Sequence, residues 1–260
     1  MFIALPNAFG DAATNMAIDS ALLAHIPVGL AAFRHYGWLE PAATFGYSQH
    51  YHKVVSELAS GHQPIQLAQA GATITRRMTG GGIVDHRNDW TYSLILHSSV
   101  YAASTRAIDL YAQIHQAISL SLNKIGIDNY LAPCPRHCKE APVGSDIPTR
   151  CFITTATHDV LRPDGRKIAG AAMKRSRQGL MIQGSLDRSI LPETLNYISF
   201  HNHLVEHLAS ILELELSELD DISPLHKSEW IECEKQRFAS EAWNHYKKPH
   251  SNTLLCKSSR

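Results

Sequence analysis

The chain has 260 residues, 44% of them apolar, which is enough for one large domain with a sizeable core. Its 24 basic residues balance its 24 acidic ones, which argues against a chain built for nucleic acid or for an anionic membrane surface. No stretch is long and apolar enough to span a bilayer, and the opening Met1-Phe2-Ile3-Ala4-Leu5-Pro6 lacks a basic n-region, so a cytoplasmic protein without a signal peptide is expected.

A helix is predicted over 11–25, capped by Asp11, with Met16, Ile18, Ala21, Leu22 and Leu23 giving much of its apolar side. Residues 30–36 and 41–48 read as short strands separated by the turn Trp38-Leu39-Glu40-Pro41. A helix over 51–59 ends near Gly61. A strand over 71–77 then feeds Gly80-Gly81-Gly82, and 89–96 reads as another strand. The clearest helix starts at Ser104: Ile108, Tyr111, His115, Ile118, Leu122 and Ile125 recur at three- and four-residue steps, and Gly126 ends it. Four prolines in 131–149 mark an irregular loop. A hairpin follows, 157–162 and 166–174 about the turn Pro163-Asp164-Gly165, and a strand over 180–186 completes a meander. Pro192 and Asn202 flank the start of a helical tail with the stripe Leu204, Leu208, Ile211 and Leu212; a last helix covers 228–246 and the final dozen residues fray. Strands, then a helix, then strands, then helices make an α+β fold, with helices on a mixed or antiparallel sheet.

Within that frame the run Arg76-Arg77-Met78-Thr79-Gly80-Gly81-Gly82-Ile83-Val84-Asp85-His86 is the most informative. Successive glycines let the backbone approach a ligand and reach positive φ. The two arginines supply forked donors for carboxylate or phosphate oxygens. The run lacks the ending of a P-loop and the spacing of a dinucleotide fingerprint. On the triplet alone, a glycine-rich connection between strands fits equally well.

The remaining candidates are ambiguous as isolated residues. Cys151 stands beside Arg150, and a neighbouring cation favours a thiolate, yet a lone cysteine is commonly a small buried hydrophobe. Lys167 follows the hairpin turn, where an average lysine is solvated. The odd total of five cysteines reads as thiols in a reducing compartment. Cys134-Pro135-Arg136-His137-Cys138 has no second ligand pair, so no metal is expected. The cluster Lys174, Arg175 and Arg177 reads as a solvated turn, and the 16 histidines are scattered.

Several blocks in order carry a resemblance: Asn15-Met16-Ala17-Ile18-Asp19, Phe33-Arg34-His35-Tyr36-Gly37-Trp38, Phe45-Gly46-Tyr47-Ser48-Gln49, the run from Arg76 to His86, Trp90-Thr91-Tyr92-Ser93, Gly165-Arg166-Lys167-Ile168-Ala169-Gly170-Ala171-Ala172, and Gln183-Gly184-Ser185-Leu186. Over roughly residues 11–190 the chain resembles the lipoate–octanoate branch of the biotin/lipoate protein ligase and transferase family. That resemblance implies a core like those of biotin ligases and class II aminoacyl-tRNA synthetases. It implies one catalytic domain over 1–260, with 190–260 a closing helical segment and no accessory C-terminal domain.

The implied activity is protein lipoylation: transfer of an octanoyl or lipoyl group to a lysine of a lipoyl-carrier domain. The family's octanoyltransferases carry Cys-Phe before an Asp-Gly-Arg-Lys hairpin, which makes Cys151 the expected nucleophile. Lys167 would stabilise the oxyanion together with the backbone at Gly80, Gly81 and Gly82. Arg76, Arg77, Thr79, His86, Gly170 and Ala171 would contact substrate, with Ala172 extending the wall. The donor would be an acyl-carrier protein or another acylated carrier, and the acceptor a lipoyl domain or a glycine cleavage H-type protein. Neither nucleic acid nor membrane is an expected partner, and transfer needs no cofactor. A second reading is an ATP- and Mg2+-dependent lipoate–protein ligase working through lipoyl-AMP, favoured by Gly82 where many transferases have arginine. A third is a non-catalytic binder of lipoylated proteins, suggested by Met173 and Ile182 where the family has glutamine and histidine. Met78 for proline and Ser20 for glutamate are further departures.

Overall fold

Apolar residues occupy both parities of the long strands, so both faces of the sheet must be covered. In the computed structural model, which describes residues 1–60, 72–134, 155–218 and 222–248, they are. The strands are β1 (Phe2–Ala4), β2 (Ala8–Gly10), β3 (Ala31–Trp38), β4 (Ala42–Phe45), β5 (Thr73–Arg76), β6 (Val84–Asp85), β7 (Asp89–His97), β8 (Tyr130–Leu131), β9 (Val160–Leu161), β10 (Lys167–Arg175) and β11 (Gly179–Asp187). The helices are α1 (Ala12–His25), α2 (Tyr51–Ser60), α3 (Tyr101–Ser104), α4 (Ala107–Lys124), α5 (Tyr197–Ile211), α6 (Ser228–Ala239) and α7 (Glu241–Tyr246). One large sheet runs β1-β3-β7-β11-β10-β9-β8, with β2 also paired to β3, and a small sheet runs β5-β4-β6. β1 and β2 lie parallel to β3, whereas β3, β7, β11 and β10 pair antiparallel in turn, so the sheet is mixed as expected.

One face of the large sheet presents Phe33, Tyr92, Leu94, Ile182 and Leu186 to α4 and α5, against the buried Ile114, Ile118, Leu204 and Leu208. The other parity presents Ala32, Ile95 and Met181 to Ile18 and Leu22 of α1. Helix α1 packs in turn against α6. It is therefore covered on two sides, which is why nearly every residue from Ala12 to Leu23 is buried.

The long periodic elements match their predicted spans closely, and the differences have local causes. β1 and β2 are three residues each, too short to show a period, and they are held by pairing with β3. The strand expected over 41–48 stops at Phe45, because the chain turns back through a Gln49 N–H to Gly46 O bond. The helix expected from Ser104 begins at Ala107 as α4, and Ser104 instead closes the separate turn α3. Between Pro192 and Asn202, as expected, Asn196 starts α5, its side chain accepting from Ser199 N at 2.9 Å. The last predicted helix is interrupted at Ser240, whose hydroxyl accepts from Trp243 N and begins α7. The hairpin turn is as read, with Gly165 at φ +84° and its N–H on Arg162 O. Cys233 is disulfide-bonded, against the all-thiol expectation. Most of the loop predicted over 131–149 lies outside the described residues, and no described helix is long and apolar enough to cross a membrane.

His115 of α4 is fully buried, and that burial, with the Lys167 charge nearby, pushes its pKa down to about 3. The unfolded chain binds that proton near pH 6.5, so the neutral ring's contribution is complete above that pH and is lost as pH falls towards 3. Urea denaturation between pH 7 and pH 5 is expected to show stability falling with acid by up to about 1.4 kcal/mol per unit from this residue. His115→Phe should flatten that slope; an unchanged slope rejects the assignment.

Candidate active site

The two sheets meet at a seam, and small residues keep it open. Gly170 and Ala172 of β10, Gln183 and Ser185 of β11, Thr91 of β7 and Tyr36 of β3 form one wall. Thr44, Arg77, Val84 and His86 from the small sheet and its flanks form the opposite one. Between them lies a narrow slot.

The glycine loop links β5 to β6 along this seam. Gly46 fixes its position: a Cβ there would sit 2.0 Å from Gly81 O, so only glycine admits the loop so closely. Tyr47 N–H donates to Thr79 O at 2.8 Å, and Gly81 turns through φ +86°. The Arg77 guanidinium spans the loop from within, donating to Thr44 Oγ1 at 2.7 Å and to the carbonyls of Gly80 and Gly82 at 2.9 Å. His86 is held on both ring nitrogens, by Thr44 and Asp89 at 2.7 Å each, and stacks on Trp38 at 3.9 Å.

Lys167 begins β10, and its ammonium pairs with the fully buried Asp159 at 2.8 Å. A Cβ on Gly170 would lie 2.5 Å from its Cε and 2.7 Å from its Nζ. The ammonium thus occupies the volume that a side chain at this wall position would fill. Asp159 also accepts from Ala156 N at 2.6 Å and from the Tyr111 hydroxyl, which itself accepts from Ala171 N at 3.1 Å. Burial and the Asp159 charge push the Tyr111 pKa far up, so it stays a neutral donor.

The structure brings together Arg77, His86, Gly170 and Ala171 in the pocket lining, with Lys167 beside Gly170, and the glycine loop borders it through the Arg77 bonds to Gly80 and Gly82 and the approach of Gly81 to Ala172. Thr79 is fully buried, donating to Gln183 Oε1 at 2.8 Å, so it supports the loop from beneath. Arg76 points elsewhere. Its guanidinium donates to the carbonyls of Tyr47 (2.6 Å), Gln49 (2.7 Å), Trp243 (3.2 Å) and Asn244 (2.7 Å), clamping α7 to the start of the loop. Such commitment to buried carbonyls suits a structural role rather than the expected substrate contact. Cys151 lies outside the described residues, as do His137 and Cys138. Sequence reasoning missed Asp159, Tyr111 and Thr44 as site residues; Tyr111 was read only as part of an apolar stripe. Met173 and Ile182 are a cross-strand pair turned to the helical core, so these two departures do not touch the pocket. Ser20 and Met78 meet at one place, where Arg237 of α6 donates to both, at 2.9 and 3.2 Å.

Gly46→Ala is expected to lower the melting temperature sharply, since backbone blocks the new methyl; overpacking of this kind costs about 1–3 kcal/mol or more. A Cβ at Gly80 meets nothing within 4 Å, so Gly80→Ala should fold normally and report on ligand approach alone. Equal melting of the two variants would reject this packing.

Residues 11–222 match the family described as the lipoyl protein ligase A/B catalytic domain. The octanoyltransferase LipM of Kyrpidia tusciae is 30% identical over 191 residues, covering 72% of this chain and 65% of that protein. Its counterpart from Halalkalibacterium halodurans is 31% identical over 199 residues, 73% of this chain and 68% of that protein. The chain thus spans slightly less than two thirds of the length of the first relative. Among solved structures, a bipartite lipoate protein ligase of Thermoplasma acidophilum, studied with its E2 lipoyl domain, superposes with a TM-score of 0.68 at 17% identity, over 94% of this chain and 95% of that one. LipL1 of P. falciparum in complex with lipoate gives 0.64 at 12% identity, over 96% and 74%. At these identities the structural likeness establishes the lipoate-ligase fold. On the sequence match, the chain belongs to the lipoyl protein ligase A/B catalytic-domain family.

Proposed function

We propose that the chain is an acyltransferase of protein lipoylation, moving an octanoyl or lipoyl group to a lysine of a lipoyl-carrier domain through a thioester on Cys151. The observation that carries this reading is the Lys167 ammonium lying over Gly170, at the edge of a slot walled by small residues. An octanoyl chain in such a slot gains about 0.8 kcal/mol per methylene, hence roughly 5 kcal/mol for six. That distinguishes a medium chain from acetyl.

The Cys151 thiolate attacks the carbonyl carbon of the donor thioester, and the carbonyl π pair moves to oxygen. Collapse breaks the bond to the carrier's sulfur, which leaves and takes up a proton. The acceptor lysine, as free amine, then attacks the Cys151 thioester. An amide forms, the bond to the Cys151 sulfur breaks, and the surplus proton passes to the thiolate or to water. In both steps charge grows on the acyl oxygen, where Lys167 and the backbone of the glycine loop stabilise it. Asp159 and Tyr111 hold the ammonium in place meanwhile. The donor would be an acyl-carrier protein and the acceptor a lipoyl domain or H-type protein, in the cytoplasm, with no cofactor for this route. LipM-named relatives at 30–31% identity support transfer over ligation. The core-facing placement of Met173 and Ile182 removes the motive for a non-catalytic binder.

Intact mass measurement after incubation with octanoyl-carrier protein, without ATP, is expected to show an octanoyl adduct on Cys151 that hydroxylamine removes. Cys151→Ser should slow transfer strongly, and Lys167→Ala by about 10²- to 10³-fold. Full activity of Cys151→Ser with octanoate, ATP and Mg2+ would install the ligase reading. Stoichiometric binding of a lipoylated partner without turnover would install the binder.

A further inference from the structure

Along β10 the pocket wall continues into a charge. Gly170, Ala171 and Ala172 all touch the pocket, but Ala171 also packs against the helical core, as does Met173, so Gly170 and Ala172 set the pocket parity. Lys174 is the next residue of the pocket parity, about 6.6 Å beyond Ala172 at the rise of a strand. Its Nζ lies 5.7 Å from the centre of the Tyr47 ring, and the Nζ of Lys247 lies 5.4 Å from the same ring. Lys247 follows α7 in a left-handed conformation, φ 57°, which brings its ammonium back towards the loop, 3.4 Å from Ser48 O. Tyr47 is 39% exposed and is tied to the catalytic rim through Thr79 O and Arg76 Nη1. Among the described residues, neither Lys174 nor Lys247 pairs with a carboxylate. The Arg76 guanidinium behind Tyr47 donates to carbonyls only, so it adds positive charge.

Two ammonium groups share an exposed aromatic ring here, with no counter-ion among the described residues, one pleat beyond the acyl wall. Cation–π attraction positions them but leaves their charge unneutralised. A compact anion with several oxygens fits that arrangement, and activated acyl groups arrive joined to phosphate, on a phosphopantetheine arm or as an adenylate. We propose that Lys174 and Lys247, across Tyr47, form a subsite for the phosphate of the acyl donor. This rests on the acyl-transfer reading above, and its test separates the two.

Two donors with the same thioester, octanoyl-4′-phosphopantetheine and octanoyl-pantetheine, are compared without ATP. The wild type should favour the phosphorylated donor by about tenfold in kcat/KM, the scale of a charged hydrogen-bonded contact screened by solvent, and added salt should shrink the preference. The double variant Lys174→Ala, Lys247→Ala should lose the preference, while Arg177→Ala on the same hairpin retains it. Thermal melting checks that each variant is folded. A wild type without preference, or a double variant that keeps it, overturns the subsite. If the wild type uses neither thioester but acts on octanoate with ATP, the transfer reading fails instead. The KM for ATP then decides: a rise of about tenfold in the double variant assigns the phosphate to the nucleotide, and an unchanged KM overturns the subsite.

Discussion

A single buried carboxylate organises the sheet beneath the pocket. Asp19 of α1 is fully buried and takes four side chains: Arg34 at 2.8 Å, Ser93 at 2.7 Å, Tyr36 at 3.1 Å and Gln183 at 2.8 Å. These come from β3, β7 and β11, so one group fixes a helix against three strands. Arg34 is itself shared with Asn15, which also reaches the carbonyls of Gly10 and Gly37. Losing one partner of such a pair strands a buried charge, at about 3–5 kcal/mol. The pair therefore specifies alignment more than it adds net stability.

From that anchor a chain of bonds runs to the rim of the pocket. Gln183 donates to Asp19 and accepts from Thr79, whose carbonyl receives Tyr47 N–H. The glycine loop is thus held to the large sheet by directional bonds and to Gly46 by close backbone contact. Glycines usually bring freedom. Here their missing side chains admit contacts that fix the backbone, which is what the proposed oxyanion role requires.

Legibility in the sequence followed range. β7, α1 and the β10–β11 meander are long apolar runs bounded by Gly or Asp punctuation, so their spans could be read locally. β1 and β2 owe their existence to β3, more than twenty residues away, and leave no local pattern. The site divided likewise. Gly170, Arg77 and His86 sit in compact motifs and converge on the pocket. Arg76 and Arg77 are chemically identical neighbours, and what separates them is the carbonyls of Trp243 and Asn244 far along the chain. Asp159 had no motif to announce it; only the fold places it against Lys167.

The Arg76 clamp has a consequence for how the protein is made. Its partners in α7 are synthesised 167 and 168 residues after it, beyond every strand of both sheets. Until they emerge, the nascent chain holds a desolvated guanidinium whose carbonyl acceptors are partly missing, an unfavourable state for burial. The loop can settle only when α7 docks. Assembly of the sheets and settling of the loop are therefore separable events, the second waiting on α7.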